Sequence, residues 1–259
     1  MRLGFAAAAR FGSDMESVPI PDLATILLTC GILFLATVIH AVLGFGTSLV
    51  AMPLLVLVLG LPTAAPLVAL SMLTTITALF WSTRAHIDFR AAWQLLLASA
   101  LGIPAGLWLV GSGPEYPLRA LLAVVLIGFG SYSLTRPRLP ALRGRAWVLP
   151  FGLAAGVLGG AYNTSAPPVV LYGALRRWPP EQLRATVQGY FLPAAALICL
   201  GHGLSGLWTR EVFKLYALAL PLVLCGIFLG LGLGRRLPAD RFERLLYASL
   251  IALGALLLF

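Results

Sequence analysis

Small hydroxyl and amide side chains interrupt two of the longest apolar stretches of the chain. Thr47-Ser48 follow the turn-forming triplet Gly44–Gly46, and Asn163–Ser165 follow Gly159-Gly160. At the start of a helix, such neutral donors and the free backbone N–H groups favour an anion. The same residue types are also common helix caps, so plain capping remains the alternative. The candidate substrate-binding residues are Gly46, Thr47, Ser48, Asn163, Thr164 and Ser165.

Four further polar or ionisable residues lie close to these stretches in the sequence. His40 is the one ionisable group deep in the first stretch, and it is either a satisfied buried histidine or a group that couples transport to protons. Gln188 and Tyr190 lie inside a later apolar segment, where they either bind substrate or bond neighbouring helices. Arg184 precedes Gln188 by one helical turn and either attracts an anion or sets the membrane topology.

The residue types of an enzyme or metal site are not found together. All nine acidic residues lie in predicted loops or at the ends of apolar segments, which disfavours a carboxylate relay and a cation substrate. Cys30, Cys199 and Cys225 stand alone in apolar runs, with neither metal-ligand nor redox spacing. They are interpreted as small buried hydrophobic residues, with a thiol relay as the alternative. We therefore expect no catalytic residues, no metal, no cofactor and no enzymatic activity.

Composition predicts an all-α integral membrane protein. The 259 residues are 60% hydrophobic and only 10% charged, against roughly 25% charged in soluble domains. The apolar residues form runs long enough for membrane helices, which need about 20 residues each. The net charge of +9 comes from scattered loop arginines and not from a patch, so nucleic acid is not an expected partner.

The apolar runs predict two broken hairpins and six ordinary spans. Residues 23–60 would form a helix of about 57 Å against a hydrocarbon core of about 30 Å, so this stretch must break, and Gly44–Gly46 is the predicted position. The second broken stretch is Trp147–Leu175, interrupted at Gly159-Gly160 and at Asn163–Ser165. The ordinary spans are Pro62–Thr83, Ala91–Gly111, Leu118–Leu134, Leu183–Gly203, Val212–Gly234 and Leu245–Phe259.

This order repeats along the chain. Residues 42–54 match residues 157–169 at an offset of 115, and Gly102/Gly106 match Gly226/Gly230. The predicted divisions are an N-terminal tail (1–22), a first transmembrane repeat (23–135), a basic cytoplasmic linker (136–145) and a second transmembrane repeat (146–259). The tail is not a convincing signal peptide, and either Met1 or Met15 could be the start.

Charge predicts that the two repeats are inverted. If each broken stretch starts and ends on one side, 13 of the 18 basic residues face the cytoplasm, whereas parallel repeats would place only 10 there. The linker and the loop from Arg235 to Arg244 are then cytoplasmic, with both termini outside. Inverted repeats, here each a broken hairpin followed by three helices, are a common build of secondary transporters.

The motifs GFGTSLVAMP (44–53) and GGAYNTSAPP (159–168), together with the paired halves, resemble the sulfite exporter TauE/SafE family. The resemblance covers about Cys30 to Phe259. It implies transport of sulfite, sulfoacetate or related organosulfur anions across the bacterial inner membrane, with a site centred on Gly46, Thr47 and Ser48. The looser second motif adds Asn163 and Thr164.

The predicted function is secondary transport of small sulfur-containing or organic anions by alternating access. A passive anion channel, a membrane enzyme and a structural membrane subunit are the alternatives. The expected partners are a small anionic substrate and the lipid bilayer. The sequence does not decide which anion is carried, the direction, the coupling ion or the oligomeric state, for which a homodimer is one option.

Overall fold

The described part of the computed structural model, which covers residues 22–83, 89–135, 141–142, 144, 146–234, 236 and 239–258, contains ten α-helices and no strand. The helices are α1 (Leu23–Leu43), α2 (Thr47–Leu59), α3 (Leu61–Thr83), α4 (Phe89–Ser112), α5 (Glu115–Thr135), α6 (Val148–Tyr162), α7 (Ala166–Leu175), α8 (Pro180–Leu204), α9 (Arg210–Gly234) and α10 (Ala239–Leu256).

Five of these helices are long and apolar enough to cross a membrane, namely α1, α3, α4, α5 and α9. Helices α2, α6 and α7 are apolar but shorter, as is the second part of α8. Many large apolar side chains on the outer surface are exposed, which a lipid environment accommodates. The prediction of an all-α integral membrane protein is confirmed.

The first break lies where the sequence predicted it. Helix α1 ends at Leu43, and α2 begins at Thr47. Between them Gly44 and Gly46 have φ angles of 85° and 117°. Side chains with a Cβ atom rarely adopt these angles, so the two glycines allow the chain to turn inside an apolar stretch.

The second break is only partly where it was predicted. Helix α6 runs straight through Gly159-Gly160 and ends at Tyr162, and Asn163 then turns the chain with a φ of 56°. Helix α7 opens at Ala166 and not at Asn163. Gly44 and Asn163 therefore hold the same left-handed position after their helices, 119 residues apart. At the breaks, the two halves are thus related by an offset of 119 residues and not by the predicted 115, a difference of about one helical turn.

Gly159-Gly160 were misinterpreted because close helix contact, and not backbone conformation, requires small residues there. A Cβ atom on Gly160 would lie 2.4 Å from the Ile103 carbonyl oxygen of α4, and one on Gly106 would lie 2.2 Å from the Val157 oxygen of α6. On the other side of the molecule, a Cβ on Gly230 of α9 would lie 2.7 Å from the Val38 oxygen of α1. These glycines let the helix backbones approach closely.

Each major helix contact has a counterpart that is obtained by exchanging the two halves of the chain. Helix α4 packs on α6, and its counterpart α9 packs on α1. Helix α5 packs on its own counterpart α10, and α3 on its counterpart α8. The described residues thus pair as two related halves would, while the inverted orientation of the repeats in the membrane stays a prediction.

The second broken stretch begins and ends at the same end of the molecule. The Leu142 N–H group, which precedes α6, donates to the Leu175 carbonyl oxygen at the end of α7 at 2.9 Å. The Arg176 guanidinium donates to the carbonyl oxygens of Leu142 and Gly144 at 3.3 and 3.2 Å. This is the hairpin geometry that the inverted arrangement assumes. The arginines of the linker and residues 1–21 of the tail lie outside the described residues.

The two ends of the described chain differ slightly from expectation. Helix α10 begins at Ala239, six residues before the predicted Leu245, because its polar first turns were assigned to a loop. At the other end, Asp22 caps α1 by accepting a hydrogen bond from the Thr25 N–H at 2.9 Å. Hydrogen bonds from the Thr25 side chain and backbone lower the pKa of this carboxyl group.

Candidate functional site

The two breaks and helices α3 and α8 enclose a small internal cavity. Its polar wall comes from the breaks and from the last turn of α1 and consists of His40, Gly46, Ser48, Asn163 and Ser165. Its apolar wall consists of Met72, Ile76, Ala166, Phe191, Ala194, Ala195 and Ile198. The space has room for about one water molecule.

In the first break, the adjacent hydroxyl residues have separate roles. Ser48 lines the cavity, whereas Thr47 does not. The Thr47 hydroxyl is fully buried and lies 2.7 Å from Nδ1 of His40, which is 2% exposed. This contact fixes the imidazole ring at the cavity wall, and its other nitrogen, Nε2, has no hydrogen-bond partner among the described groups.

In the second break, the Asn163 amide nitrogen stabilises the backbone and is not available as a donor to a ligand. Its amide nitrogen donates to the Ala65 carbonyl oxygen of α3 at 2.8 Å. Its Oδ1 atom is buried without a described partner, and the residue lines the cavity. The Thr164 hydroxyl donates to the Tyr162 carbonyl oxygen at 2.9 Å and does not line the cavity. Ser165 supplies the hydroxyl of this break that reaches the cavity wall.

Neither helix that leaves a break has a side-chain cap. The cap residues are Gly46 for α2 and Ser165 for α7, and neither forms a side-chain cap hydrogen bond. The geometry therefore does not support plain capping as the role of the hydroxyl residues. The two helix starts differ in their backbone donors, because Pro167 and Pro168 leave α7 without two of the N–H groups that α2 retains.

Tyr190 supports the site from behind its wall. Its hydroxyl donates to the Ser99 hydroxyl of α4 at 2.9 Å, and Ser99 donates to the Gly152 carbonyl oxygen of α6 at 2.8 Å. Tyr190 also lies close to the Ser165 side chain. It does not line the cavity, although its neighbour Phe191 does. The side chains of Arg184 and Gln188 lie outside the described part of the structure, so their roles stay predictions.

Sequence reasoning missed the apolar wall of the cavity. Met72 and Ile76 are four residues apart on α3, and residues 191, 194, 195 and 198 form one stripe on α8. Such stripes have helical spacing, but in an apolar chain they cannot be told apart from ordinary helix contacts. Ser99 was also missed, since one serine within a span has no distinguishing neighbour.

The described wall of the cavity carries no carboxylate, arginine or lysine. Its one ionisable side chain is that of His40. The donors available to a ligand are the hydroxyls of Ser48 and Ser165, the imidazole, and the backbone N–H groups at the start of α2. Such a site suits a small anion that is held by hydrogen bonds and helix dipoles.

Transmembrane helices that break around an internal polar cavity define a multi-pass membrane protein of the transporter class. The sequence model of the family described as "Sulfite exporter TauE/SafE" matches residues 29–257, so the chain belongs to that family.

The chain is also similar to the "Probable inner membrane transporter protein TsaS" of Comamonas testosteroni, with 29% identity over 172 residues. The match covers 65% of this chain and 72% of that protein. No solved structure matches the chain significantly. The chain is a bacterial inner-membrane protein.

Proposed function

We propose that this protein is a secondary transporter of small sulfur-containing or organic anions, such as sulfite or sulfoacetate, and that it works by alternating access. One observation carries the proposal. Each half of the chain contributes a helix break to the same cavity, and each break presents a hydroxyl to it, Ser48 from the first and Ser165 from the second. Family membership supports membrane transport, and the cavity chemistry supports an anion.

An anion suits this wall for an electrostatic reason. The first turn of α2 carries partial positive charge and four backbone N–H groups that have no acceptor within the helix. These groups stabilise an anion without a permanently buried cation, whose desolvation would cost several kcal/mol. A cation substrate would find no described carboxylate at the cavity wall. The proposal therefore includes no catalytic step and no metal.

Alternating access is proposed because the cavity is smaller than its ligand. Room for about one water molecule does not admit a sulfite ion, so the helices around the cavity must move before one enters. The contact of α3 with α8 lies beside the cavity and joins the two halves. We propose that the helices of the two halves move against each other at this contact, so that the cavity opens first to one side and then to the other.

Binding to the purified protein tests the site directly. We expect saturable binding of at least one anion from a panel of sulfite, sulfoacetate, thiosulfate and short carboxylates, with zwitterionic taurine as a sulfonate that has no net charge. Ser48→Asp should abolish that binding, because a second negative charge would face the anion across a few ångströms. If the folded Ser48→Asp variant binds as the wild type does, the site lies elsewhere.

Counterflow separates a transporter from a channel. Proteoliposomes loaded with unlabelled anion should accumulate labelled anion transiently above its equilibrium level, and the rate should saturate with concentration. A channel would show flux that neither saturates nor overshoots. That outcome would replace the proposal by the passive anion channel.

A further inference from the structure

The cavity wall contains two buried polar atoms that have no hydrogen-bond partner among the described groups. These atoms are Nε2 of His40, from the end of α1, and Oδ1 of Asn163, from the other break. Both side chains are 2% exposed. A buried polar group without a partner costs about 1–3 kcal/mol, so each such group calls for a functional explanation.

The surroundings fix which atom of each side chain is left for a ligand. Nδ1 of His40 is taken up by the Thr47 hydroxyl, so a ligand or proton reaches the ring through Nε2. The amide nitrogen of Asn163 is taken up by the Ala65 carbonyl oxygen, so Oδ1 remains, and it can only accept a hydrogen bond. The wall thus combines hydroxyl donors with an acceptor and with a ring that can bind one proton.

We infer that His40 carries one proton together with each anion, so that the protein is a proton–anion symporter; this inference rests on the proposed function. In the empty cavity the ring is neutral, with Nδ1 at Thr47 and a lone pair on Nε2. When the anion enters, a proton from the aqueous phase binds Nε2. The new N–H group donates to the anion, and Nδ1–H donates to Thr47. The proton and the anion leave together on the other side.

Charge neutralisation explains why proton and anion move together. The described cavity wall has no fixed cation, and a bare anion loses most of its hydration there. A protonated imidazole next to the anion gives a pair of opposite charges in a medium of low dielectric constant, where their attraction is strong. An isolated imidazolium would be equally unfavourable, so each ion favours the binding of the other. For a monoanion, the complete cycle then moves no net charge.

Other ionisable groups near His40 do not share the cavity. The helices packed against α1 are α2, α3, α9 and α10, and α2 and α3 contain no ionisable residue. The ionisable residues of α9 are Arg210, Glu211, Lys214, Tyr216 and Cys225. The ionisable residues of α10 are Asp240, Arg241, Glu243, Arg244 and Tyr247. Around the other walls, the ionisable residues are Tyr162 of α6, Tyr172 of α7, and Glu181, Arg184, Tyr190, Cys199 and His202 of α8. No described side chain in these sets lines the cavity.

His202 offers a matched control within the same chain. It is a second fully buried histidine, also without a described partner on its ring nitrogens, but it does not line the cavity. The test variants are His40→Asn, whose amide nitrogen can keep the place of Nδ1 at Thr47, and His40→Gln, whose amide reaches toward the place of Nε2. Neither side chain titrates. His202→Gln makes the same exchange away from the cavity.

The experiment compares two transport modes in proteoliposomes that contain the full chain, with sulfite and sulfoacetate as the probes. Counterflow is measured at equal pH, and net uptake is measured with about pH 6 outside and about pH 8 inside, a range over which histidine changes charge. Sulfoacetate keeps its charge over this range. Sulfite does not, so for sulfite the readout is the difference between wild type and variant. Sulfoacetate is a dianion at these pH values and moves net charge together with one proton, so the membrane potential is held at zero with potassium and valinomycin. The wild type should then accumulate sulfoacetate roughly tenfold per pH unit of gradient, the equilibrium limit for one proton per anion.

The outcomes separate this inference from the proposed function. We expect counterflow by both His40 variants to be weakened, because the ring is one of the donors to the anion, and the flux that remains should not respond to the pH gradient. His202→Gln should behave as the wild type in both modes. If neither probe shows counterflow, the proposed function itself is contradicted. Wild-type counterflow without a pH response, a response to the opposite gradient, or a response retained by both His40 variants would overturn the symport inference alone.

Proton uptake by the wild type keeps the inference testable if the His40 variants do not fold. Adding sulfoacetate to purified protein in weak buffer with a pH indicator should remove about one proton from solution for each anion bound, as linked binding of the two requires. Binding without proton uptake would overturn the inference.

Discussion

The residues of the two breaks divide between those that face the cavity and those that hold the backbone. Ser48 and Ser165 face the cavity, whereas Thr47 holds the His40 ring and Thr164 bonds to its own turn. The sequence predicted this group of residues because hydroxyl and amide side chains are rare in apolar stretches. It could not assign the separate roles, since adjacent residues of one turn differ only in the direction of their side chains.

At this scale, serine substitutions distinguish the cavity from its surroundings. Ser48→Ala and Ser165→Ala should each weaken anion binding by about 1–3 kcal/mol, the range from a typical hydrogen bond to one with a charged partner. Ser71→Ala is the matched control, because Ser71 is buried on α3, bonds to the Leu67 carbonyl oxygen and does not line the cavity. Isothermal titration of the purified variants measures the effect. Equal losses in all three would show that the serines act through folding.

At the scale of the helices, the accuracy of each predicted break depended on the structural role of its glycines. Gly44 and Gly46 mark a true break because they adopt positive φ angles, whereas Gly159 and Gly160 lie within α6 and serve close contacts. The sequence shows a glycine in either case but not the neighbouring helix that requires it. Asn163 makes the second turn instead, as asparagine tolerates the left-handed region better than most residues.

The contact of α4 with α6 predicts a stability loss. Gly160→Ala would place a Cβ atom 2.4 Å from the Ile103 carbonyl oxygen and 3.1 Å from the Leu107 nitrogen, so the two helix backbones would have to separate. We expect a destabilisation of about 1–3 kcal/mol, as for other overpacked contacts. Gly128→Ala is the control, since its added Cβ would meet no atom within 4 Å apart from its own helix backbone. Thermal unfolding in detergent, followed by size-exclusion chromatography, compares the two. Equal melting temperatures would contradict the close contact.

At the scale of the whole molecule, the sequence predicted the order of the elements better than their arrangement. The ten helices, with a break in each half, follow from the lengths of the apolar runs. The pairing of α4 with α6 and of α1 with α9 joins one half to the other and has no signature in a single sequence beyond its small residues. The hydrogen bonds between Leu142 and Leu175 and between Arg176 and the linker support the inverted arrangement, which remains a prediction.

Cysteine labelling tests the orientation of the repeats. Cys30, Cys199 and Cys225 are free, so they are first replaced to give a cysteine-free background. Exposed Ser205, in the turn between α8 and α9, should then react as Ser205→Cys with a membrane-impermeant maleimide in intact spheroplasts. Ala141→Cys, at an exposed position of the linker, should react only after permeabilisation. Labelling of Ala141→Cys from outside would contradict the inverted model.

The central claim is that one cavity between the two breaks opens in turn to each side of the membrane. Accessibility of Ser48→Cys in the same cysteine-free background tests it most directly. In proteoliposomes, a small membrane-impermeant thiol reagent should modify this cysteine when added outside and also when enclosed inside, because the site is exposed alternately. Saturating amounts of the bound anion should slow both reactions. Modification from one side only, or rates that the anion leaves unchanged, would contradict alternating access through this cavity.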